Sequence, residues 1–337
     1  MDIHSIKTAA RENFAGSCRV CPVCNGVVCA GEVPGMGGLG TGAAFRHNIE
    51  ALAECRLNLR TVHDVKRPDL TCRILGLELD LPVIGAAIGG TALNMKGAMT
   101  EQEYTEAVVS GCRNAGTISM TGDGPNPIVF DSGMAAIHKE KGWGIPIVKP
   151  RQTEKIVELA EKAAAAGCPA FGIDIDAAAL VNMTNAGQPV GPKTGKELEY
   201  IKNHTTIPFI VKGIMTPDEA EACWQAGVDA IVVSNHGGRA LDYTPGTAEV
   251  LPYIAEAVKG KMTILVDGGV RSGVDVLKML ALGADAVLIG RPVIIGAVGG
   301  GKEGVEFVLD QYKAELHAAL LLTGTAKVSD VPVEILW

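Results

Sequence analysis

Residues 262–292 read MTILVDGGVRSGVDVLKMLALGADAVLIGRP, and the order of features in this stretch decides the architecture. An apolar, β-branched run ends on Asp267 and is followed by a glycine turn. Gly273 to Leu282 then carries apolar residues at i, i+3 and i+4, and a second apolar run, Ala284 to Gly290, leads into Arg291. Strand, turn, amphipathic helix and strand within about thirty residues make one unit of a parallel sheet with a helical crossover.

Working back towards the N-terminus, the same alternation starts at residue 82. The expected strands are Pro82 to Ile88, Thr117 to Met120, Ile145 to Lys149, Ala170 to Asp176, Ile207 to Lys212, Asp229 to Ser234, Met262 to Asp267 and Ala284 to Gly290. Their starts are on average about 29 residues apart, the size of a βα unit, and helical stretches such as Thr153 to Ala166 lie between them. Eight such units predict an α/β fold, a (β/α)8 TIM barrel. The rival, a doubly wound dinucleotide fold, needs a G-x-G-x-x-G opening a helix after the first strand, and none is present. The predicted organisation is a Cys/Gly-rich N-terminal segment, residues 1–70, followed by a barrel over residues 71–337. Within these, a helix is expected from Ala44 to Ala53 and a short hairpin from Cys72 to Asp80 on the barrel floor.

The composition fits a globular chain with a large core: 337 residues, 47% hydrophobic and 20% charged. A net charge of −8 and no run of Lys or Arg argue against a nucleic-acid partner. No apolar stretch reaches the ~20 residues of a membrane span, and the first residues lack a basic-then-apolar leader, so a cytoplasmic protein with no membrane partner is expected. Cys55, Cys72, Cys112, Cys168 and Cys223 stand singly in helix-like or strand-like segments and read as reduced core residues.

In a barrel the chemistry sits at the C-terminal ends of the strands. Those ends carry Lys149, Asp174 and Asp176, Lys212, Ser234-Asn235-His236 with Arg239 behind, Asp267, and Arg291. The loops after the seventh and eighth strands, Asp267 to Gly273 and Gly290 to Pro292, combine glycines, a helix start and two arginines, a phosphate-binding combination. In SNHGGR (234–239), an imidazole and a guanidinium share one short loop. Arg grips a carboxylate with two parallel hydrogen bonds while His moves a proton on the neighbouring oxygen.

SNHGGR-x-LD, VDGGVRSG and IGRP together closely resemble the FMN-dependent α-hydroxy acid oxidase and dehydrogenase family, which includes glycolate oxidase, lactate oxidase and mandelate dehydrogenase. The resemblance covers the barrel and is strongest from residue 205 to 295. It implies FMN-dependent oxidation of a 2-hydroxy acid to a 2-oxo acid. His236 would be the base, acting with hydride transfer to flavin N5 or, on the older view, by abstracting the Cα proton. Arg239 would hold the substrate carboxylate, and Lys212 would neighbour flavin N1 and the C2 carbonyl. Asp176 would support the His, with Asp174 as the competing choice. The resemblance further implies flavin contacts from Ala87, Ile88, Gly89, Ser234, Asp267, Gly268, Gly269, Arg271, Gly290 and Arg291, and a homotetramer.

The sequence departs from the family in the substrate half. Residues 1–70 hold no Tyr, TGDGPNP follows the second strand without an aromatic, and the stretch after the fourth strand lacks an Arg. The third strand ends IVKPR, which puts Lys149 near an expected Tyr, where it would replace lost carboxylate contacts or hold a phosphate. These departures keep a non-redox alternative open, an FMN barrel enzyme of the type 2 isopentenyl diphosphate isomerase kind, and beside it a barrel that only binds its ligand.

Finally, CRVCPVCNGVVC spaces Cys18, Cys21, Cys24 and Cys29 as C-x2-C-x2-C-x4-C. That bite suits an iron–sulfur cluster or zinc, with a redox-active or structural thiol set as the alternative. A cluster would take electrons from reduced FMN and favour a dehydrogenase over an oxidase.

Overall fold

The computed structural model describes residues 2–337. Eight parallel strands close into a barrel: β1 Val83–Ile88, β2 Ser119–Thr121, β3 Ile145–Val148, β4 Phe171–Asp174, β5 Phe209–Ile214, β6 Ala230–Val233, β7 Thr263–Val266 and β8 Ala286–Ile289. Closure runs through β8 and β1, where Val287 pairs with Val83 and Ile289 with Gly85. All eight expected strands are present, in order. Helices cover the outer face of the barrel and side chains fill its interior, so both faces of each strand are buried. This is why β6 and β8 are apolar throughout rather than alternating.

The helices form where caps and periodicity allow. Ser272 accepts the Asp275 amide to start Gly273–Ala281, which buries Val276, Leu277, Met279 and Leu280. Thr100 and Glu103 make a reciprocal capping box for Glu101–Asn114. The last helix, Arg291–Thr323, is broken at Gly300 and Gly301, the latter at φ 60°.

Residues before the barrel join its core rather than standing apart: Ala10, Phe14, Val20, Met36, Ala51 and Leu52 belong to the same buried cluster as the strands. The N-terminal helix, Ile3–Asn13, lies on the last helix, and Asn13 donates to the Val298 carbonyl (2.8 Å). The expected helix is seen as Ala43–Glu54, and the hairpin pairs Cys72–Ile74 with Leu77–Leu79 just ahead of β1. Ahead of that helix and through its first turns, residues 35–48 strap over the barrel mouth: the Leu39 amide donates to the Gly238 carbonyl (2.9 Å), and Asn48 exchanges side-chain hydrogen bonds with Asn235.

At one point the backbone makes room for chemistry. The pairing of β5 with β6 slips between Lys212 and Ile214, and Gly213 within the slip has φ 107°. A Cβ there would lie 2.7 Å from the side chain of Asp176, so only glycine lets Asp176 approach the strand.

Candidate active site

The strand ends enclose a cavity of about 580 Å³ at the C-terminal mouth. Lys149, Asp174, Lys212, His236, Arg239, Asp267, Arg271 and Arg291 all reach its wall, as do Ala87, Ile88, Gly89, Gly268, Gly269 and Gly290. Two predicted site residues do not. Ser234 is fully buried behind the wall, where its hydroxyl accepts from Lys212 Nζ (2.8 Å) and from the His236 amide (3.0 Å); it positions both neighbours instead of touching the cavity. Asp176 lies behind His236.

His236 itself has φ 60°, so its side chain leaves β6 from a left-handed turn. Its Nδ1 meets Asp176 Oδ1 at 2.8 Å, against 3.5 Å to Asp174 Oδ1. Of the two acids, Asp176 is the hydrogen-bonded one. A carboxylate only accepts, which assigns the proton to Nδ1 and leaves the Nε2 lone pair for the cavity. Burial pushes the Asp176 carboxyl up, with His236 opposing and the Asp174 charge adding to the rise. Asp174 goes the other way: burial is outweighed by His236, Lys149 and Lys212, which hold it well below the usual carboxylate range.

Lys212 is 3% exposed and bonded to Ser234, with Asp267 at 3.3 Å and Asp174 at 3.6 Å. Burial pulls its ammonium down, but the charges of Asp267, Asp174 and Asp176 outweigh it and raise the group above the ordinary lysine range. A permanent buried cation therefore faces the cavity floor. Lys149, also on the cavity wall, pairs with Asp174 at 2.7 Å.

Three arginines ring the rest of the mouth. Arg239 donates to Asn94 Oδ1 (2.9 Å) and to the Gly35 and Gly37 carbonyls. Arg291 stacks over the Phe45 ring at 3.8 Å and donates to the carbonyls of Met36, Gly37 and Gly237. Arg271 donates to the carbonyls of Cys24 and Val270. Among the described residues none of the three has a carboxylate partner within 4.0 Å. Burial, then the nearness of Arg271 and Arg239, pulls Arg291 down to about 9, so it stays charged at neutral pH while bearing the repulsion of its neighbours. An anion here relieves that repulsion. Nearby, Asp267 Oδ1 is buried without a hydrogen-bond partner, an acceptor waiting for a hydroxyl. Phosphate at one end, polyol beside Asp267 and a ring over Lys212 are the demands of FMN, and the residues fit them.

Reading strand ends missed two wall residues. Asn94, from the short helix Thr91–Asn94, orients Arg239; nothing in its sequence context marks it. Asp123, in the TGDG stretch after β2, accepts the Lys149 amide (2.8 Å) and is ion-paired with Arg151, both of them buried. A carboxylate two residues past a buried strand was the signal. The four N-terminal cysteines are half-buried and unbridged. They line a small hollow separate from the catalytic groups, and no three of their sulfurs come within 4.8 Å of one another.

This is a barrel enzyme site of the flavin-binding kind, with an acid–base pair facing an anion-gripping rim. The chain matches the family described as FMN-dependent dehydrogenase over residues 35–191 and 182–337, and it belongs to that family. It is 32% identical over 323 residues to a peroxisomal (S)-2-hydroxyacid oxidase of Arabidopsis thaliana, covering 85% of this chain and 86% of the relative. It is also 32% identical to the 2-hydroxyacid oxidase 1 of Mus musculus over 322 residues, 83% and 85% of the two chains. Among solved structures, a mandelate oxidase carrying a C4a-OH-FMN adduct superposes with a TM-score of 0.79 at 29% identity, covering 97% of each chain.

Proposed function

We propose that the protein oxidises a 2-hydroxy acid to the 2-oxo acid with FMN as its cofactor. The observation that carries this reading is the His236–Asp176 pair at 2.8 Å, aimed into a cavity whose rim holds three arginines without carboxylate partners. Arg239 has five N–H donors and spends three on Asn94 and two carbonyls, leaving two for a substrate carboxylate. With the carboxylate held there, the neighbouring hydroxyl is offered to His236 Nε2. His236 takes the hydroxyl proton, and Asp176 stabilises the imidazolium that results. FMN, when bound, accepts the hydride that leaves Cα. Lys212 supplies a fixed positive charge where negative charge then develops, at no reorganisation cost. The isomerase alternative is set aside, because the family membership and the His–Asp pair both serve the oxidation.

Leu93, Leu180, Val181 and Met183 also line the cavity, with no charge among them, which favours hydroxy acids with an apolar substituent. The finer parts of the reading are a metal or cluster at the four cysteines and a cytoplasmic homotetramer; sedimentation and cell fractionation test the last. The central test is a visible spectrum taken without air, before and after adding a panel of 2-hydroxy acids. Bleaching of the flavin bands by one of them is the expected result. Flavin bands that no member of the panel bleaches would refute the reading.

A further inference from the structure

Cys18, Cys21, Cys24 and Cys29 all line one small hollow, together with Val20, Met36, Arg291 and Ile295. The loop is folded to bring them there. Val20, buried and β-branched, sits at φ 45°, a conformation that such a residue adopts only under constraint, and it turns the chain between Cys18 and Cys21. Gly26 at φ 81° packs on the Phe45 ring so tightly that a Cβ would collide with it. Two sulfurs already accept hydrogen bonds: Cys18 Sγ from the Val20 amide (3.4 Å) and Cys24 Sγ from Arg271 Nη2 (3.6 Å). Hydrogen bonds to sulfur of this kind are part of the setting of cluster-bound cysteines.

The spacing between the thiols decides what they hold. A single tetrahedral zinc with Zn–S of about 2.3 Å draws its four sulfurs to about 3.8 Å from one another. The one group of three or more His, Cys, Asp or Glu ligand atoms within 4.8 Å of one another among the described residues is Asp174, Asp176 and His236; no three of these sulfurs qualify. Four thiols that share a hollow with no three of them gathered to that spacing suit a body with several metal atoms, each bound at its own corner. The C-x2-C-x2-C run has the bite of four-iron sites; in the bacterial C-x2-C-x2-C-x3-C pattern the last Cys serves a second cluster, whereas here Cys29 lines the same hollow as the other three.

We propose that Cys18, Cys21, Cys24 and Cys29 ligate a four-iron iron–sulfur cluster. The site abuts the flavin cavity, because Met36 and Arg291 line both hollows. Arg271 and Arg291, whose positive charge suits a phosphate on one side, face a thiolate-bound and negatively charged cluster on the other. This accounts for Arg271 and Arg291 crowding one rim without a carboxylate. The cysteine site stands apart from the hydroxy-acid reading: iron and sulfide without substrate bleaching would overturn that reading and leave the cluster intact.

The test is iron and acid-labile sulfide analysis of the whole protein, prepared without air and again after reconstitution with ferrous iron and sulfide, alongside its FMN content. About four of each per chain, with an electron paramagnetic resonance signal on dithionite reduction, is the expected result. Stoichiometric zinc, iron without sulfide, or no uptake after reconstitution overturns the proposal. Cys18→Ser and Cys24→Ser should lose at least tenfold in iron at unchanged FMN content. Cys55→Ser, at a cysteine that lines neither hollow, should keep both; loss of iron in Cys55→Ser to the same degree would refute the assignment. Should the serine variants fail to fold, the metal and sulfide content of the unmodified protein decides alone.

Discussion

Replacing Asp176 by Asn keeps the shape of the side chain and removes the charge behind His236, which makes it the sharpest test of the acid–base assignment. The carboxylate oxygen lies 2.8 Å from Nδ1 with the side chain 9% exposed, so the imidazolium charge, spread over the ring, sits about 4 Å from it. At an effective dielectric of about 20, a pair of unit charges at that distance is worth about 4 kcal/mol, close to three decades in rate. Asp174, 3.5 Å away and held ionised, retains part of that stabilisation. The expected loss in kcat is therefore about 10²- to 10³-fold, with KM changed by less than about 3-fold, since Arg239 is untouched. The assay is the single-turnover rate of flavin bleaching without air, which separates chemistry from reoxidation. A loss below about tenfold, or one carried by KM, would refute the role given to Asp176.

The remaining site assignments make separable predictions. Arg239→Met should raise KM for the hydroxy acid by about 10- to 100-fold, the value of a charge-assisted hydrogen-bond pair, while Lys149→Met should change KM by less than about 3-fold because its ammonium is spent on Asp174; equal KM effects in steady-state kinetics would restore Lys149 to the substrate. Arg291→Leu should weaken FMN binding by about 10- to 100-fold in a flavin-fluorescence titration of the apoprotein, and undiminished affinity would remove Arg291 from the phosphate site. For acid stability the sign follows from Asp174. Its folded carboxyl is held well below the unfolded value near 3.9, so below about pH 4 the unfolded chain binds a proton that the folded one refuses, and stability falls with falling pH. Asp174→Asn should flatten that slope by up to about 1.4 kcal/mol per pH unit in urea titrations between about pH 2 and pH 4, and identical slopes would contradict the ion-pair network.

How much of this was legible beforehand depended on whether the signal was local. Each strand of a parallel barrel is covered on both faces, so it appears as a short, wholly apolar run between turns, and β6 and β8 were found to within a residue or two. Strand ends inherit that clarity: His236, Lys212 and Asp267 were found because a polar residue directly after a buried run has nowhere to point except the mouth. The choice between Asp174 and Asp176 was not local. It rests on the slip at Gly213, a property of strand pairing on the neighbouring strand, about forty residues along the chain from the acid concerned. The partners of Lys149 and Ser234 were hidden for a related reason. Position shows which way a side chain leaves the strand but not which neighbour reaches it first, and Asp174 and Lys212 do.

The least legible part is the rim, and the reason is chemical. Arg239 and Arg291 are aimed mainly by backbone carbonyls of Gly35, Met36, Gly37 and Gly237, and a carbonyl leaves no mark in a sequence because every residue has one. What glycine contributes there is access: without side chains at 35 and 37, the strap comes close enough for its oxygens to reach guanidinium groups more than two hundred residues away. The same strap follows directly on the four cysteines, and Met36 on it forms a wall of both hollows. A segment that looks like an appendage in composition therefore holds two of the rim arginines in place. It follows that the cysteine loop meets the flavin cavity through Arg271 and Arg291 rather than through the barrel strands.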